Sequence, residues 1–143
     1  MPEKTKILIV EARFYDEIAN NLSAAAKAEL DKAGASYDVI AVPGCFEIPA
    51  AVSMAIESGE YDGYIGLGCV IRGETSHYDY VCGESARGLN DLAMEGQAVG
   101  YGIITAENRD QANVRADAKQ KNVGGRAAKA CLEMLAIKQK FIG

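Results

Sequence analysis

Gly66-Leu67-Gly68-Cys69-Val70-Ile71-Arg72-Gly73-Glu74-Thr75-Ser76-His77-Tyr78-Asp79-Tyr80 reads as a buried strand that breaks into a polar turn and then starts a helix. The single histidine of the chain sits at that junction. A strand-to-helix turn aims free backbone N–H groups at whatever lies above it, which suits a phosphate. An imidazole beside such a site points to proton transfer on a phosphorylated substrate. The glycines do not form a G-x-G-x-x-G dinucleotide loop: Gly66 and Gly68 fall inside the strand, and Gly73 comes too late.

Working outward, the same strand-then-helix unit recurs. Lys6 to Val10 is a continuous apolar run, as expected of a strand covered on both faces. From Tyr15 to Ala33, apolar residues Ile18, Leu22, Ala25, Ala26 and Leu30 keep helical spacing. Asp16 and Glu17 occupy the first turn, and Gly34 supplies a stop. Tyr37 to Val42 is a second strand. Pro43-Gly44 signals a turn, with Pro presetting φ and Gly accepting positive φ. A helix runs from near Phe46 to Glu57, with Pro49 in its first turn. Tyr64 to Ile71 is the third strand, and Tyr78, Val81, Cys82, Ser85, Leu89 and Leu92 mark one face of the third helix. Ala98 to Thr105 is the fourth strand. Asn108 with Gln111 has capping-box spacing and opens a fourth helix. Gly124-Gly125 interrupts the helical pattern, so the last helix is expected over Ala127 to Lys140. The order β-α-β-α-β-α-β-α-α predicts an α/β domain: a four-stranded parallel sheet with right-handed crossovers and helices on both faces. A ligand is then expected beyond the carboxyl ends of the strands.

Composition narrows the function. The 143 residues fit one domain, 1–143, with room for a real core. A formal charge of −5 argues against nucleic acid, which calls for a basic stripe. No apolar run approaches the roughly 20 residues that span a membrane. Met1 to Lys6 lacks the features of a signal peptide, so the expected location is cytoplasmic. Cys45, Cys69, Cys82 and Cys131 are widely spaced, with no C-x-x-C pair and one histidine. They read as small buried hydrophobes in a reducing compartment rather than as metal ligands.

Several residues at the strand ends carry chemistry. Phe14 follows the first strand, where its ring can stack on a flat heterocycle or pack on the core. Glu47, in Cys45-Phe46-Glu47, lies at a helix start and can accept hydrogen bonds from hydroxyls. In Gly73-Glu74-Thr75-Ser76, glycine permits close approach of a ligand, Thr75 or Ser76 can cap the helix, and Ser76 with Asp79 matches a capping box. His77 falls in the first helical turn at a strand end, where a lone histidine reads either as a surface or satisfied core residue or as a group placed for proton transfer. Arg115 and Lys119, four apart, would share a helix face as an anion grip or as a solvated basic surface.

Taken together, these residues resemble the 6,7-dimethyl-8-ribityllumazine synthase family. The matching pieces are Ala12-Arg13-Phe14, Val42 to Pro49, Gly68 to Tyr80, Tyr101 to Thr105, Gln111 to Ala116 and Asn122 to Ala128. The resemblance implies a flavodoxin-like three-layer fold and a homo-oligomer, pentamer or multiples of it, with active sites between neighbouring subunits. It implies condensation of 5-amino-6-(D-ribitylamino)uracil with 3,4-dihydroxy-2-butanone 4-phosphate, with no metal or organic cofactor. By the same likeness, Phe14 would stack on the pyrimidine, Val70 and Ile71 would contact it, and Cys45, Phe46 and Glu47 would hold the ring edge and the ribityl hydroxyls. Gly73, Glu74 and Thr75 would bind phosphate, and His77 would shuttle protons. Tyr101 and Arg115 would come from the adjacent subunit, Arg115 to the phosphate. Val123 stands where the family often has Lys, which leaves Lys119 or Arg126 as a second cation. With about a dozen residues before Arg13, there is little chain for the extra strand of shell-forming members, and a pentamer is expected. Alternatives are a flavin or lumazine binder without turnover, an archaeal-type riboflavin synthase, or a structural shell protein.

Overall fold

The computed structural model describes residues 4–142. Met1, Pro2 and Glu3, on which part of the signal-peptide reading falls, lie outside the described residues, as does Gly143. The elements in chain order are β1 (Lys6–Ala12), α1 (Asp16–Lys32), β2 (Ser36–Val42), a 3-10 turn (Cys45–Glu47), α2 (Ile48–Ser58), β3 (Gly63–Ile71), α3 (His77–Met94), β4 (Val99–Ala106), α4 (Arg109–Ala116) and α5 (Val123–Phe141).

The four strands form one parallel sheet in the order β2-β1-β3-β4. Alternation along β1 divides the core. Ile7 and Ile9 pack with α1, α4 and α5 on one face, and Leu8 and Val10 pack with α2 and α3 on the other. The expected three-layer α/β architecture is therefore present. Small residues on β3 and β4 set how closely the helices approach. A Cβ on Gly66 would lie 2.9 Å from Cγ2 of Ile48, and one on Gly100 would strike the carbonyl of Ala127. The chain moves outward from β1 to β2, then returns past β1 to β3. The order thus reverses between β1 and β3, which is where parallel sheets open a crevice.

Local chemistry corrected several expectations. The last helix starts at Val123 and keeps Gly124-Gly125 in its first turn. Asn122, with φ 49°, caps it by accepting a hydrogen bond from the Gly125 amide at 3.2 Å. The glycines are required there by contact: a Cβ on Gly124 would collide with the Leu22 carbonyl of α1. Tertiary packing thus outweighs their poor helix propensity. Gly44 does not use positive φ; its backbone is extended, at φ −159°. Its lack of a side chain instead makes room for Glu47, whose Oε1 would lie 3.2 Å from a Cβ. Ser76 makes no side-chain cap. Thr75 Oγ1 accepts from the His77 amide instead, at 3.3 Å. The Asn108 cap forms as expected, accepting from the Gln111 amide at 2.9 Å.

Candidate active site

A cleft of about 510 Å³ opens at the switch point between β1 and β3. Three successive strand-to-helix turns build its walls. The turn after β1 brings Phe14 and Tyr15, the turn after β2 brings Gly44 to Glu47, and β3 with the start of α3 brings Cys69, Val70, Ile71 and His77. Phe14 is 77% exposed and meets Tyr15 edge-on at 4.9 Å between ring centroids. It is therefore not a core residue; its ring stands free to take a second flat surface. Phe46 is exposed on the same rim, whereas Cys45 is buried at the base. Burial pushes the Cys45 thiol up to about 12, so it faces the cleft as a neutral, weakly polar group.

Seven expected site residues share this cleft: Phe14, Cys45, Phe46, Glu47, Val70, Ile71 and His77. Gly73, Glu74 and Thr75 form the exposed turn ahead of α3. The amides of Gly73, Glu74, Thr75 and Ser76 find no acceptor among the described residues. A Cβ on Gly73 would meet nothing within 4 Å, so the space over the turn is open. Free donors, open space and a helix start are the parts from which an anion site can be built. His77 is exposed at the first turn of α3, between those donors and the aromatic rim.

Two expected residues stand apart. Tyr101 lines a separate cavity of about 310 Å³ with Leu89 and Ala93 of α3. Arg115 is on α4, whose Ala112 and Ala116 pack into the core on the sheet face opposite Cys45 and Val81. Its guanidinium donates to the Gln111 carbonyl at 3.0 Å and does not line the cleft. Lys119 does not share a helix face with Arg115, because α4 ends at Ala116 and Lys119 falls in the following turn. That turn is held by Asp117, whose carboxylate accepts from the Lys119 amide at 2.8 Å.

Sequence reasoning did not single out Tyr15, Tyr80 and Val81 as lining residues. Tyr80 is 68% exposed and lies three residues after His77. The signal was available: positions i+3 and i+4 of a helix share the face of position i.

Fold and cleft define an α/β protein with an aromatic-rimmed crevice at the switch point of a parallel sheet, beside a turn of unpaired backbone donors. A sequence model of 6,7-dimethyl-8-ribityllumazine synthase matches residues 4–139, and the chain belongs to that family. It is 56% identical over 136 residues to the 6,7-dimethyl-8-ribityllumazine synthase of Novosphingobium aromaticivorans, covering 95% of this chain and 98% of the relative. It is 51% identical over 146 residues to that of Agrobacterium fabrum, covering 98% and 99%. A protein of Rhizobium meliloti called 6,7-dimethyl-8-ribityllumazine synthase 1 is 53% identical over 141 residues, covering 94% and 92%.

Proposed function

We propose that this chain condenses 5-amino-6-(D-ribitylamino)uracil with 3,4-dihydroxy-2-butanone 4-phosphate to give 6,7-dimethyl-8-ribityllumazine, phosphate and water. The observation that carries this reading is the meeting of Phe14, Glu47 and His77 on one cleft, next to a turn with unused amides, in a chain of this family. Phe14 stacks on the pyrimidine, and Val70 and Ile71 contact the ring. Cys45 and Phe46 hold the ring edge, and Glu47 accepts from the ribityl hydroxyls. Gly73, Glu74 and Thr75 receive the phosphate through backbone donors.

The 5-amino group attacks the ketone, and loss of water gives an imine. Phosphate leaves by β-elimination as a proton is removed from the neighbouring carbon. The ribitylamino nitrogen then closes the ring, with loss of a second water. His77 moves the protons. Orientation of two small molecules supplies much of the acceleration, since effective molarities can be very large.

The chain works as a homo-oligomer, a pentamer, in which a neighbour donates Arg115 to the phosphate and Tyr101 to the wall of the site. Both residues lie off their own chain's cleft, and Tyr101 is partly exposed. Its four free thiols suit a reducing cytoplasm.

The test mixes the two substrates with the purified protein and follows the absorbance and fluorescence of the lumazine. Lumazine formed well above the uncatalysed rate is expected. Tight binding of lumazine or flavin without turnover would overturn the reading, as would riboflavin formed from lumazine alone.

A further inference from the structure

Arg72 is the first residue after β3, and its amide still donates to the Ala106 carbonyl at 2.9 Å. Its side chain does not line the cleft. Instead, Nε lies 2.7 Å from Oε2 of Glu107, in the loop after β4. One terminal nitrogen lies 3.4 Å from Oδ1 of Asp79, in the first turn of α3. The guanidinium also lies over the ring of Tyr78, 4.2 Å from its centroid. Glu107 is itself anchored: its amide donates to Oε1 of Gln111 at 2.8 Å, inside α4.

The turn that follows Arg72 has little else to hold it. Beyond the 3.3 Å bond from the His77 amide to Thr75 Oγ1, Ser76 makes no cap, the amides from Gly73 to Ser76 meet no protein acceptor among the described residues, and a Cβ on Gly73 would meet nothing within 4 Å. A receptor made of backbone donors binds well only if the donors are already aimed. We propose that Arg72 is a positioning residue that grips Glu107 and Asp79 together, fixing both ends of the 73–76 turn and thereby setting its affinity for the substrate's phosphate. This rests on the function proposed above.

The Arg72 side chain is 42% exposed, and an isolated exposed ion pair does little. Three features set this one apart. The guanidinium is planar, it meets two carboxylates in different elements, and it stacks on an aromatic face. Lysine offers neither the fork nor the plane.

The decisive variant is Glu107→Gln, which alters a group outside the cleft. It should raise KM for the butanone phosphate about three- to tenfold, the scale of one modest ion-pair network. KM for the pyrimidine and kcat should stay within about threefold of the parent. Arg72→Met should act in the same direction. Adding Glu107→Gln to Arg72→Met should cost nothing further, because the two residues act through one contact. Arg72→Lys should fall between the parent and Arg72→Met. Hydrogen exchange of the Arg72 and His77 amides, which donate to the Ala106 carbonyl and to Thr75 Oγ1 at the two ends of the turn, should quicken in Glu107→Gln, a readout independent of turnover. Unchanged KM and unchanged exchange in Glu107→Gln would overturn the proposal. Additive effects in the double variant would also do so, since they would mean that Arg72 touches the phosphate directly. If the parent makes no lumazine, the functional reading falls, and the exchange experiment still decides whether the clamp orders the turn.

Discussion

Gly88 of α3 faces Pro49 of α2 so closely that a Cβ on Gly88 would lie 2.7 Å from Cβ of the proline ring. The same two helices carry walls of the cleft, Glu47 just before α2 and His77 at the start of α3. The spacing of the two helices therefore sets the distance between those walls.

Gly88→Ala should push α3 away from α2. The added methyl costs about 1–3 kcal/mol in overpacking, against a gain of about 1 kcal/mol in helix propensity. The net expectation is a lower urea midpoint and a lower kcat. A midpoint equal to or above that of the parent would show that the helices are not in forced contact.

His77→Ala should lower kcat about 10²- to 10⁴-fold, the range for loss of a positioned proton shuttle. It should leave binding of a pyrimidine analogue nearly intact, and some activity should persist through orientation alone. Loss of analogue binding with normal turnover at saturation would contradict the assignment.

Arg115→Ala should raise KM for the butanone phosphate with little change for the pyrimidine. If the guanidinium crosses to a neighbour, unfolding and reassembling His77→Ala with Arg115→Ala chains should give activity above that of either parent at butanone phosphate concentrations below the raised KM. Equal mixing leaves roughly a quarter of the seams with both wild-type groups. No recovery in verified mixed oligomers would place both groups on one chain.

Glu11 is nearly buried in β1, with one oxygen 3.1 Å from a guanidinium nitrogen of Arg13 and the other without a partner among the described residues. Removing the cation should therefore hurt more than removing the acid. Arg13→Ala should destabilise by about 2–4 kcal/mol, less than a fully buried pair because Arg13 is 31% exposed. Glu11→Met should be close to neutral by comparison. Chemical denaturation of both variants checks the order, and equal losses would contradict it.

Much of this molecule was legible in the sequence. The central strands β1 and β3 announced themselves as apolar runs such as Lys6 to Val10, because strands covered on both faces have no polar side. The turn from Arg72 to Ser76 stood out because polar residues and glycine interrupt such a run. What failed to show depended on contacts distant in sequence. Gly124 reads as a helix breaker until the Leu22 carbonyl of α1 is brought against it. The end of α4 at Ala116, which separates Lys119 from Arg115, follows from Asp117 leaving helical geometry. The hold of Arg72 on Glu107 joins residues 35 positions apart, and no local spacing signals it.

Alkaline pH should destabilise the fold through its thiols. Burial pushes Cys45 and Cys131 up from 9.0 to about 12, and Cys69 to about 11. The folded chain then holds protons that the unfolded chain releases, so stability is complete below about pH 9 and declines from there towards pH 12. Thermal midpoints measured from pH 8 to 11 should fall, and Cys131→Ala should flatten the decline. A slope unaffected by that substitution would show that other groups govern it. By the same cause, Cys45 should resist iodoacetamide at pH 8 while folded, although it borders the cleft.

The cleft draws its walls from the turns that follow β1, β2 and β3, stretches lying some thirty residues apart along the chain. No hairpin or isolated strand–helix unit contains enough of it to recognise anything. A nascent chain is accordingly blind to its substrate until the central parallel pairings have closed. After that, every molecule of ring compound taken up weighs on the side of the whole sheet, raising its melting temperature with the logarithm of ligand concentration.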